Sequence, residues 1–507
     1  MSISQEIGGG IPVTANGTLA PIEAPGAELV ALNPTLTAVD GTAQRTASRL
    51  GRRRISATPA LLSADVIRGR VTAAMTEVAQ TFSDTIQDID IVVPEDTRVR
   101  LELHDVDPKD VELPEGWVPR SVKRYKTVDP WHEENPDIVK AVKKLTEDTV
   151  AMAEDVRGDI RRMRAVGLSD GRDLAYQDAH RNARGKRTTP ITRALMDIDP
   201  ERYGTMDDPM TMAEWIRRLP NAEGLYPVAH PDGGMYVLVD PKTGVVQHRP
   251  STKALMALTL GSQNGRGVRE REVLMEHSTR EHLETEAMQK RIHRKGAVWL
   301  TDLGSGTGDP GMRIGLSTAP LLGPDGKVIV NAYDNNPNSL AVAKHISAKL
   351  ADEHPEGKRL RYYGHRSEFA TESILRATVR WSRANVYQSA GFTEYTSSEQ
   401  ASTPEERQQR ALMGRGGMVS AEDFHAIMYQ EMPYGAIWNT GNMQPNEESK
   451  FVTDGLGWGY ICIRGLYEYA SILQRARIPG RAVDLYVPDP ANSAAIYNYV
   501  GITRTYQ

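Results

Sequence analysis

The chain has 507 residues, of which 39% are hydrophobic and 25% charged, and a formal net charge of -5. This length suits two or three domains, no apolar run approaches the roughly 20 residues of a membrane span, and a single cysteine, Cys462, excludes an intrachain disulfide and any cysteine-rich zinc site. So small a charge selects no partner, and nucleic acid would have to be met by a local basic patch; a cytoplasmic protein is expected.

Residues 1–44 contain no Lys or Arg and are rich in Gly, Pro, Ala and Thr, which fits neither a secretory signal nor a basic transit peptide. Residues 1–60 therefore read as a disordered or extended arm, with a basic cluster over residues 45–54 that is either a solvated tail or a phosphate contact. Residues 61–267 read as an accessory region of mixed α and β structure. Ser63 precedes an amphipathic helix with Ile67, Val71, Ala74, Met75, Val78 and Phe82 on one face. Val99, Leu101 and Leu103 alternate with charged residues as in a half-exposed strand. A long helix begins at Asn135 and Pro136, carries the stripe Ile138, Val142, Leu145, Met152, Val156, Ile160 and Met163, and stops at Gly167. Residues 170–220 are polar, with Arg181, Arg184, Lys186 and Arg187 close together, and residues 235–248 form a β-hairpin. Residues 261–267, Gly-Ser-Gln-Asn-Gly-Arg-Gly, read as a linker.

Residues 268–507 read as one further unit, entered by a charged helix over residues 269–293 whose His277, His282 and His293 are surface residues. Then comes the most informative stretch, residues 298–308, Val-Trp-Leu-Thr-Asp-Leu-Gly-Ser-Gly-Thr-Gly. An apolar strand ends at three alternating glycines and a helix-compatible segment follows. Glycines at 304, 306 and 308 permit positive φ and leave no Cβ between the turn and a ligand lying at the helix N-terminus. The dinucleotide fingerprint is G-x-G-x-x-G, and here Asp309 stands at the place of its third glycine. The next strand, residues 327–333, delivers Asp334 at its carboxyl end, where a carboxylate can accept both hydroxyls of a ribose.

The run Asp302-Leu303-Gly304-Ser305-Gly306-Thr307-Gly308 resembles the acidic-x-G-x-G-x-G signature of class I S-adenosylmethionine-dependent methyltransferases, and the resemblance is sustained over residues 269–507. It implies an α/β fold: a Rossmann-like sheet of seven strands with helices on both faces, all strands after Arg269 and the last antiparallel. After the Asp334 strand come a helix with Leu340, Val342, Ala343, Ile346 and Leu350, a third strand near residues 359–364, a fourth near 384–390, a fifth near 435–441, and two more at 482–487 and 496–500. The cofactor implied is S-adenosylmethionine, held by Asp302, Gly304, Ser305, Gly306, Thr307, Gly308, Asp334, Asn335, His365 and Gly391. His365 falls at the adenine end, although the acidic residue frequent there in the family is absent.

Gly391-Phe392-Thr393-Glu394-Tyr395 after the fourth strand, and Gly-Asn-x-x-Pro from Gly441, look like a subgroup of the family. The fourth-strand loop is not the Asn-Pro-Pro-Tyr of enzymes that methylate base amino groups. The resemblance thus implies Glu394 and Tyr395 on the substrate side, as base, hydrogen-bond partner or wall, with no metal. Methyl transfer to a small or lipid-like acceptor is the expected function. The alternatives are an RNA or protein methyltransferase whose N-terminal region presents the substrate, and a non-enzymatic subunit keeping the fold.

Overall fold

The computed structural model describes residues 64–92, 94, 98–165, 238–239, 246–248, 254, 257–258, 261–306, 308–335, 337–367, 371–389, 391–396, 398, 419–454, 462–491 and 496–505. The arm expected over residues 1–60, its basic cluster, and the polar stretch 170–220 lie outside them.

Helix α1 (Ala64–Gln87) forms where the apolar spacing places it and buries Met75, Ala79, Phe82 and Ile86. Strand β1 (Arg100–Val106) is followed by β2 (Ser121–Val128), a strand absent from the sequence reading because Lys123, Arg124 and Lys126 interrupt its apolar alternation. A short helix α2 (Pro130–Glu134) leads into α3 (Pro136–Ala165), with Ile138, Val142 and Leu145 in the core. Strands β3 (Leu238–Val239) and β4 (Val246–His248) pair antiparallel, as expected for the hairpin.

Residues 261–267 are not a linker but the cap and first turn of α4 (Gln263–Leu283). The Ser262 hydroxyl accepts from the Gly265 N–H at 2.9 Å, and the Glu448 carboxylate accepts from the N–H groups of Gln263 at 2.9 Å and Asn264 at 3.2 Å. Three otherwise orphaned donors are thereby satisfied. Gly267 serves close packing, since a Cβ there would stand 2.6 Å from the Ile496 side chain. Helix α5 (Glu286–Lys295) then ends at Gly296, whose φ of 60° is left-handed.

From here strands and helices alternate: β5 (Ala297–Leu303), α6 (Asp309–Ser317), β6 (Lys327–Asp334), α7 (Pro337–Glu353), β7 (Leu360–Arg366), α8 (Glu372–Ser382), β8 (Val386–Gln388), α9 (Ala421–Glu431), β9 (Ile437–Met443), α10 (Ser449–Asp454), α11 (Leu466–Arg475), β10 (Val483–Pro488) and β11 (Tyr497–Thr503). They build one sheet in the order β1-β2-β10-β11-β9-β8-β5-β6-β7. Strands β9, β8, β5, β6 and β7 run parallel, and β11 lies antiparallel to both β9 and β10. The sheet has nine strands rather than seven, because β2 adds parallel to β10 and β1 antiparallel to β2. The expectation that every strand follows Arg269 is therefore corrected.

Apolar residues of α1, α3, α4, α5, α6 and α7 cover one face of the sheet, and those of α8, α9 and α11 cover the other. Among the described residues no helix is long and apolar enough to cross a membrane. The strand order reverses between β5 and β8: β6 and β7 follow on one side of β5, whereas β8 and β9 lie on the other. In open α/β sheets the crevice at the carboxyl ends of such a switch point is where ligands bind.

Candidate cofactor site

Strand β5 carries the glycine turn to that switch point. Val298, Leu300 and Leu303 are buried, and parallel partners on both sides fix the strand's register. At its end Gly304, Gly306 and Gly308 adopt φ of 69°, 54° and 67°, the left-handed region that side chains disfavour. The Tyr333 carbonyl accepts from the N–H groups of Gly304 at 2.9 Å and Ser305 at 3.2 Å, and the Ser305 carbonyl accepts from Gly308 N–H at 2.7 Å. Gly306 N–H donates to Asp334 Oδ2 at 2.8 Å. The turn is thus fastened to the end of the neighbouring strand by main chain and by the very carboxylate expected to bind ribose.

Asp302 is buried at 5% exposure beneath the first turn of α6. Gly311 must be glycine for this approach, because a Cβ would come within 2.6 Å of Asp302 Oδ2. The partial positive charge of the helix N-terminus stabilises the carboxylate there. Asp302, Gly304, Ser305, Gly306, Gly308 and Asp334 are thus brought together, Asn335 follows Asp334 and is exposed, and Thr307 lies outside the described residues. His365 is placed apart. It pairs in register with Tyr333, stacks on that ring with centroids 4.6 Å apart, and has Nε2 3.2 Å from Asn331 Oδ1. By strand alternation it shares the face of Tyr333, opposite that of Ala332 and Gly364.

Three residues absent from the sequence reading stand at the same end of the sheet. Gln388, Asp302, Ala332 and Gly364 form one register row across β8, β5, β6 and β7. Gln388 is fully buried, yet neither its Oε1 nor its Nε2 has a hydrogen-bond partner. The buried Ser305 Oγ and the Tyr362 hydroxyl are likewise without one. Buried polar groups are nearly always paired, so such a cluster around a turn points to a ligand that supplies both donors and acceptors. The only sequence signal for Gln388 is a polar residue closing the apolar strand Val386-Tyr387 at its carboxyl end.

The third missed residue is Arg271, buried on α4. Gly391, with φ of 68°, leaves room for it, since a Cβ there would stand 2.5 Å from Arg271 Nη1. Glu394 is buried too; its Oε1 accepts from Met443 N–H at 3.1 Å and its carbonyl from Cys462 N–H at 2.7 Å. Burial raises its pKa, and the Arg271 guanidinium and the Tyr497 hydroxyl oppose the rise. Tyr395, by contrast, is 41% exposed. Next to this loop Arg464, buried, donates to the carbonyls of Thr393 and Thr396 and to Asn442 Oδ1. Of the histidines expected at the surface, His277 and His282 are corrected: both are partly buried and burial lowers both pKa values, that of His282 to about 4, with its Nε2 3.0 Å from the Gly435 carbonyl. Among the described residues no group of three or more His, Cys, Asp or Glu is placed to hold a metal ion.

No protein-family model and no curated protein matches the chain. Among solved structures it is similar to an O-methyltransferase family protein from Burkholderia thailandensis, at 12% identity and a TM-score of 0.29, over 50% of this chain and 61% of that one. It is similar to the CurJ carbon methyltransferase at 10% identity and a TM-score of 0.35, over 88% of this chain and 95% of that one. For the trans-methyltransferase CalH in complex with SAH the values are 12% and 0.30, over 50% and 68%. The chain thus spans about three fifths of the length of the first of these. The site itself is defined by the turn, its carboxylates and the unpartnered polar atoms around them. Over about half its length the chain is similar to solved methyltransferases.

Proposed function

We propose that the chain binds S-adenosylmethionine at the turn of residues 302–308 and Asp334, and transfers its methyl group to a small-molecule acceptor. The observation that carries this reading is the left-handed glycine turn fastened through Gly306 N–H to Asp334, with three buried and unpartnered polar side chains grouped around it. The donor set suits the cofactor. Asp334 accepts from ribose hydroxyls, while Ser305, the amide of Gln388 and the Asp302 carboxylate offer the mixture of donors and acceptors that an α-amino-acid end requires. When bound, the cofactor supplies a methyl group made electrophilic by its sulfonium: the bond from carbon to the acceptor forms as the carbon–sulfur bond breaks, and that electron pair stays on sulfur.

The protein's part is to hold the acceptor in line and exclude water. Tyr395, exposed after β8, is assigned to the acceptor side as a wall or hydrogen-bond partner. Glu394 shapes that side from beneath, through Met443 N–H and Arg271, and takes the acceptor's proton only if it exchanges those partners. A direct test supplies methyl-tritiated S-adenosylmethionine and a metabolite extract freed of macromolecules. Label entering a low-mass product, and falling at saturating cofactor in Tyr395→Phe, is expected; label entering only RNA or protein from an unfractionated extract would overturn the small-molecule assignment.

A further inference from the structure

Tyr362 lies within β7, on the face covered by α6 and α7. Its ring passes beneath the glycine turn: a Cβ on Gly308 would stand 3.4 Å from the Tyr362 ring and 3.8 Å from Ala343. The hydroxyl extends along the strand toward its carboxyl end, 3.1 Å from where a Cβ of Gly364 would be. There it is buried without a hydrogen-bond partner. Both Asp302 and Asp334 are near enough for their charge to add to burial in raising its pKa. A phenol lodged beside two carboxylates, bonded to neither, is held by the packing of its ring and not by its oxygen.

Resting on the cofactor reading above, we propose that Tyr362 is a ligand-contact residue whose hydroxyl donates to a ribose hydroxyl oxygen of the cofactor, while that ribose hydroxyl donates to the Asp334 carboxylate. The neighbouring charges select this partner. A ligand carboxylate would be repelled by Asp302 and Asp334, and an ammonium offers the phenol no acceptor; an alcohol both donates and accepts, and so satisfies phenol and carboxylate together. Tyr362 then makes the site selective for a ribose over a deoxyribose.

The test is Tyr362→Phe in the full chain, titrated calorimetrically with S-adenosylhomocysteine and with its 2′-deoxy and 3′-deoxy analogues, alongside the melting temperature of the unliganded protein. The parent ligand should bind the variant about five- to tenfold more weakly. The analogue lacking the contacted hydroxyl should bind variant and wild type alike, and the unliganded variant should melt no lower than wild type, because the lost hydroxyl had no partner. An unchanged affinity for the parent, an equal loss with all three ligands, or a lower melting temperature would each overturn the assignment. Failure of the wild-type protein to bind S-adenosylhomocysteine would instead remove the cofactor reading, and this assignment with it.

Discussion

Asp334 shapes the turn, its Oδ2 accepting from Gly306 N–H at 2.8 Å, and under the proposed function the same carboxylate receives the ribose hydroxyls. Replacing it removes charge-assisted bonds of both kinds. Asp334→Ala should therefore weaken S-adenosylhomocysteine binding by about 2–3 kcal/mol in a calorimetric titration, and Asp334→Asn, which keeps an acceptor for Gly306, should lose less. Equal affinity in Asp334→Ala would remove the ribose assignment. At this scale the sequence was informative where chemistry is local: three glycines and two carboxylates at fixed spacing announce a turn that needs positive φ. It was silent on Gln388 and Tyr362, because what distinguishes them is the lack of a partner, a property of the packed surroundings and not of the residue.

Among the elements, α4 shows why local patterns mislead. The glycine-rich stretch 261–267 reads as a linker, yet Gly267 is required by Ile496 and Tyr497, which lie more than 200 residues away in the chain. The same helix carries a buried ionic seam against β2 and α2. Arg269 Nε donates to Asp129 Oδ2 at 3.0 Å, Arg266 Nε to Glu270 Oε1 at 2.9 Å, and the Thr127 hydroxyl to that same Glu270 oxygen. Glu270 Oε2 has no partner, and burial raises the carboxyl pKa to about 7 against the opposing pull of Arg266. Glu448, which accepts from the first N–H groups of α4, is raised to about 7 by burial as well.

A carboxyl group whose folded pKa lies above its unfolded value holds its proton more tightly when folded, so stability is fully present below the unfolded value and falls as pH rises toward the folded one. Stability should therefore decline between about pH 4.5 and pH 7 and then level off, as far as these groups decide it. Glu270→Gln, which keeps an acceptor for Thr127 and Arg266 without the charge, should flatten that decline in urea denaturation series taken across this range. A slope identical to wild type would show that Glu270 titrates normally.

Across the whole molecule, the sheet ignores the boundary expected near residue 268. Asp484–Pro488 of β10 pairs in parallel with Ser121–Tyr125 of β2, the Tyr125 hydroxyl donates to the Tyr497 carbonyl at 2.8 Å, and Asp129 meets Arg269 with both side chains buried. Without β2 the sheet would end at β10 with an open edge, and without the neighbouring Asp129 the buried Arg269 would lose a charge-assisted partner. Periodicity identifies elements and not which strands become neighbours, so in sequence the two parts look separate. The last seven strands were legible as a set through the family resemblance, and β5, β6 and β10 also through their own apolar residues. Of the two added from the N-terminal side, β1 was legible as a half-exposed strand and β2 was not, for Lys123, Arg124 and Lys126 interrupt its apolar pattern and nothing in its residues names β10 as partner.

Under the proposed function the alternating glycines, with Asp309 in place of the third dinucleotide glycine, take S-adenosylmethionine in preference to a dinucleotide. Calorimetric titration of the full chain with S-adenosylmethionine, and separately with NAD, tests it most directly. Saturable one-to-one binding of S-adenosylmethionine, lost or strongly weakened in Asp334→Ala, and no binding of NAD are expected. Binding of NAD without binding of S-adenosylmethionine would contradict it.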